Sequence, residues 1–262
     1  MCEMLNKITP GEEPGSLKEF LDAKADDYNN AWFVANDPVS IPHRFSRNDD
    51  IEISALITAL ISWGNRKAII KAASGIMERL DHAPADFVMN HQPGDLSVFD
   101  DFRYRTFCSS DLCNLIAGLQ HILKTYGSLE AGFAGAGNTR DALIQFRQVL
   151  FEAPHLPRFE KHISNVSKGS AAKRLNMFLR WMVRSDRRGV DFGIWKCITP
   201  AMLMLPLDLH SGRVARSLGL LSRNANDWKA VEELTTVLRK LDSKDPARYD
   251  YALFGLGIYE NF

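Results

Sequence analysis

Residues 170–184 read SAAKRLNMFLRWMVR. Leu175, Phe178, Leu179 and Met182 fall at i, i+3, i+4 and i+7, which makes one apolar face of a helix. At about 100° per residue, Lys173, Met177, Arg180 and Arg184 take the opposite face. The bias extends past the helix: from Ser167 to Arg188 there are seven basic residues and one acid, Asp186. Such a face suits phosphate oxygens, with each Lys or Arg displacing counterions. A plainly solvated helix surface has the same composition.

Working outward, the same periodicity recurs. Helices are expected over Ser16–Ala31, Ile51–Ile61, Lys67–Leu80, Asp111–Tyr126, Arg140–Phe151, Trp228–Leu241 and Tyr249–Ile258. Ile51–Ile61 is apolar nearly all round and reads as a buried helix, broken by Ser62-Trp63-Gly64-Asn65. Gly127 suits the stop of the Asp111 helix. Asp37-Pro38 to Arg47 reads as a loop. Alternating β-branched runs are nearly absent and no repeat is found, so the class is all-α.

With 262 residues, 45% of them hydrophobic, the chain can bury a large core. Lys+Arg and Asp+Glu both total 32, so nucleic-acid binding would need a local basic face, not bulk charge. No apolar run approaches the roughly 20 residues of a membrane span, and Met1–Pro14 has no apolar signal core. Cys2, Cys108, Cys113 and Cys197 are scattered without a CxxC pair, which points away from zinc and iron–sulfur centres and toward reduced thiols in the cytoplasm. No metal or other cofactor is expected, and the chain is expected to act as a monomer.

The segment LPLDLHSGRVARSLGLL, 205–221, places Asp208 just before a helix that Gly219 ends. Asp208 reads most simply as the N-cap of that helix, and His210 alone as a structural histidine. The segment also resembles the Asp-Thr-His region of the helix-hairpin-helix DNA glycosylase superfamily, with Leu209 where Thr is usual. Asp208 then takes the place of the catalytic Asp, and His210 that of its histidine. Lys173 in SAAKRLNMFLRWMVR resembles the catalytic Lys of the archaeal 8-oxoguanine glycosylase branch. Arg103-Tyr104-Arg105 and Tyr126-Gly127-Ser128-Leu129 look like that branch too, and the whole is similar to the bacterial family of domain of unknown function 2400. Between His162 and Ser170 one glycine, Gly169, stands where the superfamily has a glycine-rich hairpin.

The resemblance implies two helical lobes, roughly 45–150 and 151–262, with a cleft between them and residues 1–44 as an N-terminal extension. It implies a base-excision repair glycosylase with AP lyase activity, acting on an oxidised purine such as 8-oxoguanine in double-stranded DNA. Lys173 would be the nucleophile, and Asp208 would stabilise the sugar cation. A helix start favours negative charge at Asp208, and the neighbouring cations disfavour a further positive charge on Lys173. The base must be flipped out of the stack. Met177, Trp63, Asn65 and His210 are candidates to receive it, with Trp181, Trp195 and Phe178 as further aromatic candidates. Lys168, Arg174, Arg180, Arg184 and Arg213 are candidates for the phosphates. A non-catalytic DNA-binding protein on the same scaffold, or a helical protein with no nucleic-acid role, fits the same residues.

Overall fold

The computed structural model describes residues 14–260 and 262. The expectations that rest on Cys2 and on the start of the chain lie outside them. The fold is mostly helical, 64% helix, with one two-stranded sheet among the described residues.

The helix that the sequence marks as apolar all round is the hub. α3, Asn48–Leu60, is buried from Asp50 to Leu60. It packs against α8, Lys173–Val183, and against α4, Arg66–Arg79, and α5, Pro84–Asn90. Each fully buried Ile or Leu on such a helix contributes about 1.5–3 kcal/mol. α6, Ser109–Tyr126, and α7, Thr139–Leu150, close the layer beyond α5. α6 stops at Gly127, whose φ of +84° is the left-handed C-cap expected of it.

The described part of the expected N-terminal extension packs on the C-terminal helices. α1, Pro14–Tyr28, packs along α11, Tyr249–Tyr259, and α11 packs in turn on α9, Leu209–Ser217. Gly255 makes the α1–α11 approach possible, since a Cβ there would lie 2.0 Å from the Tyr28 ring. α2, Ala31–Ala35, follows, and the Asp37–Arg47 stretch winds into two 3-10 turns, Pro38–Ser40 and Pro42–Arg44, beside α3. α10, Trp228–Leu241, completes the C-terminal part. No helix among the described residues is long and apolar enough to cross a membrane.

The small sheet pairs β1, Arg103–Tyr104, with β2, Phe107–Cys108. It buttresses the α3–α4 turn, where the Tyr104 hydroxyl donates to the Trp63 carbonyl at 2.7 Å.

Candidate active site

A cavity of about 590 Å³ opens where the α3–α4 turn meets α8, α9 and α11. That volume suits a small organic ligand. Lys173 and Asp208, 35 residues apart in sequence, both line it.

Lys173 stands in the first turn of α8, after Ala172 at φ +48°. It is half-buried, and its Nζ lies 3.5 Å from the Sδ of Met177 one turn on. It enters no ion pair among the described residues. Asp208 caps α9, as its sequence position suggests. Its Oδ1 accepts from the backbone N–H groups of His210 and Ser211, both at 2.9 Å, and from the Ser211 hydroxyl at 3.1 Å. Ser211 Oγ in turn accepts from the Asp208 N–H at 2.9 Å, and Asn226 Nδ2 donates to the Asp208 carbonyl at 3.0 Å. The capping bonds gather on Oδ1, so cap and cavity residue are compatible roles.

Met177, Trp63 and His210 line the same cavity. Trp63 is held from both sides. Tyr104 meets its ring edge-on at 5.5 Å and the Arg174 guanidinium lies over it at 5.0 Å. The next residue must be glycine: Gly64 sits at φ +101°, and a Cβ there would lie 2.9 Å from Arg105 Nη1. Asn65 does not line the cavity. It is exposed, and its side chain accepts from the Ala68 N–H at 3.2 Å to cap α4, which is where an Asn before a helix gains most. Trp181, Trp195 and Phe178 lie in the core, not at the cavity.

Two buried carboxylic acids complete the site. Asp37 accepts from the Val39 N–H at 3.1 Å and caps a 3-10 turn. Burial pushes its carboxyl up, against the pull of Arg66, Arg180 and Lys173. Asp250 on α11 is pushed up to about 6 by burial, with the Asp208 charge adding to the rise and Arg180 and Lys173 opposing it. Arg180 Nη1 donates to Asp250 Oδ2 at 2.5 Å. Phe33, Phe254 and Ile258 supply apolar walls from α2 and α11.

The phosphate-facing surface expected of α8 is corrected by this geometry. Arg180 is 4% exposed and Arg184 2%. Arg184 donates to Asp191 Oδ2 at 2.5 Å, to Asp186 at 3.0 Å and to Asp245 at 2.8 Å, and Arg180 meets Asp191 at 3.3 Å. Both guanidinium groups lie over the buried Tyr251 ring, at 4.2 and 5.5 Å. Isolated buried cations would cost several kcal/mol each, and these acids offset that. Arg174 is also turned inward, donating to the carbonyls of Leu60 and of His162, the latter at 3.3 Å. Of the cations expected to crowd Lys173, Arg180 and Arg184 are therefore paired with acids, and Arg174 is held by backbone carbonyls. Lys168 and Arg213 do remain exposed.

The sequence reading missed Asp37, Asp250, Phe33 and Phe254. A lone acid in the otherwise apolar YDYALFGLGIY was a usable signal for Asp250. Asp37 carried none beyond a turn-forming Asp-Pro pair. No group of three His, Cys, Asp or Glu able to hold a metal occurs among the described residues.

A family model described as protein of unknown function (DUF2400) matches residues 37–259, a span that opens on cavity residue Asp37. No curated protein and no solved structure matches the chain.

Proposed function

The chain belongs to the DUF2400 family, and from the cavity that Lys173 and Asp208 share we propose that it excises an oxidised purine, such as 8-oxoguanine, from duplex DNA. The observation that carries this reading is the convergence of an unpaired amine and a capped carboxylate in one partly apolar cavity. Neither the helix cap nor the amphipathic helix alone requires that meeting.

The chemistry runs through this chain's own groups. Lys173 Nζ attacks the sugar C1′ as the bond to the base breaks. The base leaves with the bonding electrons, and a Schiff base joins the lysine to the opened sugar. Asp208 faces the positive charge that grows on the sugar. Asp250, able to hold a proton near pH 6, stands close enough to feel both charges and is suited to relay the proton that Lys173 must lose. Trp63, Phe33 and Phe254 offer apolar walls to a flipped base. The cavity lies where helices from the two halves of the chain meet, and this favours the two-lobed helix-hairpin-helix glycosylase architecture. Lys168, in the turn before α8, and Arg213, on α9, are the sequence-chosen cations still free to meet phosphates.

The test is covalent trapping. The protein is mixed with a duplex containing 8-oxoguanine and with borohydride, and a protein–DNA band is expected. Lys173→Gln should abolish the band. A band of unchanged intensity in that variant overturns the assignment of Lys173, and no band with any oxidised purine overturns the glycosylase/lyase reading. DNA binding that survives without trapping would favour a non-catalytic DNA-binding protein.

A further inference from the structure

Away from the cavity, one thiol is held in a setting unlike that of Cys113 or Cys197. Cys108 is the N-cap residue of α6, an 18-residue helix. Its Sγ accepts from Arg158 Nη1 at 2.5 Å and lies 3.3 Å from the Ser110 hydroxyl. The same Arg158 nitrogen donates to Asp111 Oδ2 at 2.9 Å, and that oxygen lies 3.4 Å from Sγ. A helix N-terminus and a cation at hydrogen-bond distance are the two features that stabilise a thiolate over a thiol. Burial and the thiol's own hydrogen bond to the Asp111 carboxylate would raise the Cys108 thiol, yet the Ser110 and Arg158 hydrogen bonds and the Asp111 backbone hold it below its ordinary value. Burial instead raises Cys113, and it pushes Cys197 up to about 12.

A second observation comes from behind the thiol. His162 is 4% exposed, and its Nε2 has no hydrogen-bond partner. That nitrogen points at Asp111 Oδ2, at 3.3 Å, the oxygen that also faces the sulfur. Asp111 is wholly buried and its Oδ1 is likewise unpartnered. Spare buried hydrogen-bonding capacity of this kind is costly and calls for an explanation. The ring of His162 lies parallel to Trp63 at 6.3 Å, so the cluster stands directly behind a wall of the cavity.

We propose that Cys108 is a modification site, a reactive thiolate that a hydroperoxide oxidises to a sulfenic acid. The sulfur attacks the terminal peroxide oxygen; the S–O bond forms and the O–O bond breaks. Sulfur loses two electrons, the peroxide gains them, and the departing hydroxide or alkoxide takes a proton from water. Arg158 holds the sulfur in its anionic form, and the spare capacity of Asp111 and His162 lies close by for the added oxygen. This inference does not depend on the glycosylase reading.

The experiment is labelling of the full chain at pH 7 with limiting iodoacetamide, read by peptide mass spectrometry. Cys108 should react at least about tenfold faster than Cys113 and Cys197. Arg158→Met, on a side chain 41% exposed, should bring Cys108 down to their rate with an unchanged far-ultraviolet spectrum. Ser110→Ala gives a milder slowing and serves as a second variant. After brief hydrogen peroxide treatment, dimedone should mark the Cys108 peptide ahead of those two. Equal labelling of the three cysteines, a rate that ignores Arg158→Met, or no dimedone adduct on Cys108 would each overturn the proposal.

Discussion

The two ends of α8 carry the same kind of residue on the same face and put it to opposite uses. At the first turn, Lys173 faces a cavity, its amine 3.5 Å from Met177 Sδ and in no ion pair among the described residues. Two and three turns on, Arg180 and Arg184 are sealed among Asp191, Asp245, Asp250 and Asp186. The difference lies in what the tertiary fold brings opposite each end. The loop after α8 carries Asp186 and Asp191, and α11 with the turn before it carries Asp250 and Asp245. The paired end serves stability, since removing one member strands the others as buried charges. The unpaired end leaves a half-buried amine facing the cavity, which costs the fold little.

The largest expected effect breaks the paired end. Arg184→Met leaves Asp186 and Asp245 without their cation and Asp191 with Arg180 alone, and should cost about 3–5 kcal/mol of stability. Lys173→Gln, on the same helix face, should change stability by no more than about 0.5 kcal/mol. Denaturant midpoints of the two variants measure the contrast. Equal losses would mean that Lys173 is as much a part of the ion network as Arg184.

Glu52 sharpens the comparison, being a buried acid with no cation partner among the described residues. On α3 its Oε1 accepts from Trp195 Nε1 at 2.8 Å, and burial pushes its carboxyl up to about 7, with Asp49 and Glu130 adding to the rise. Below about pH 4.5 the group is protonated in both the folded and the unfolded chain and costs nothing. Between about 4.5 and 7 the unfolded chain releases the proton while the folded chain keeps it. Stability therefore falls with rising pH, by up to about 3 kcal/mol for this shift. Glu52→Gln should remove that slope and leave the wild type and the variant closest at low pH. Parallel stability curves for the two across pH 4.5–7.5 would contradict the assignment.

A smaller effect separates the two roles of Asp208. Asp208→Ala loses the cap and should cost about 1 kcal/mol, whereas Asp208→Asn keeps an acceptor for the His210 and Ser211 N–H groups and should cost only a few tenths. Both should impair borohydride trapping, because neither presents a negative charge to the sugar. If Asp208→Asn traps as well as the wild type, Asp208 is a cap and nothing more.

These contrasts also mark how far the sequence could be read. The helices followed from local pattern: α6, α8 and α10 fall within a few residues of their expected spans because each carries a 3.6-residue apolar stripe, and α3 because its long apolar run is buried all round. The Asp208 cap was legible for the same reason, being set by its own helix. α2, α5 and the β1–β2 hairpin were missed, since each is five to seven residues or a pair of short strands, too brief for periodicity to show. At the site, Lys173, Asp208, Met177, Trp63 and His210 were named in advance and share the cavity. Arg180 and Arg184 were misread because periodicity gives the face of a helix and not what packs on it. Apart from Asp186, two residues beyond Arg184, their acids lie 7 to 70 residues away in sequence, and the fold brings those near. Asp37 and Asp250 come from opposite ends of the chain for the same reason.

The smallest expected effect concerns the cations that remain in solvent. If duplex DNA docks over the cavity mouth, Lys168 and Arg213 should each neutralise a phosphate, while Arg180 and Arg184 should neutralise none. Each phosphate contact contributes roughly 0.9 to the slope of log affinity against log salt. Lys168→Gln should therefore weaken binding for all sequences alike and flatten the salt slope by about 1. Arg213→Gln should do the same, with a small stability loss from the missing bond to the Gly257 carbonyl. A titration of duplex binding at several salt concentrations reads the slope directly. If the slope is unchanged in both variants, the DNA lies elsewhere or the basic turn before α8 is merely solvated. A change on removing Arg180 from the folded protein would show that the buried network opens on binding, and that the two ends of α8 are not separate after all.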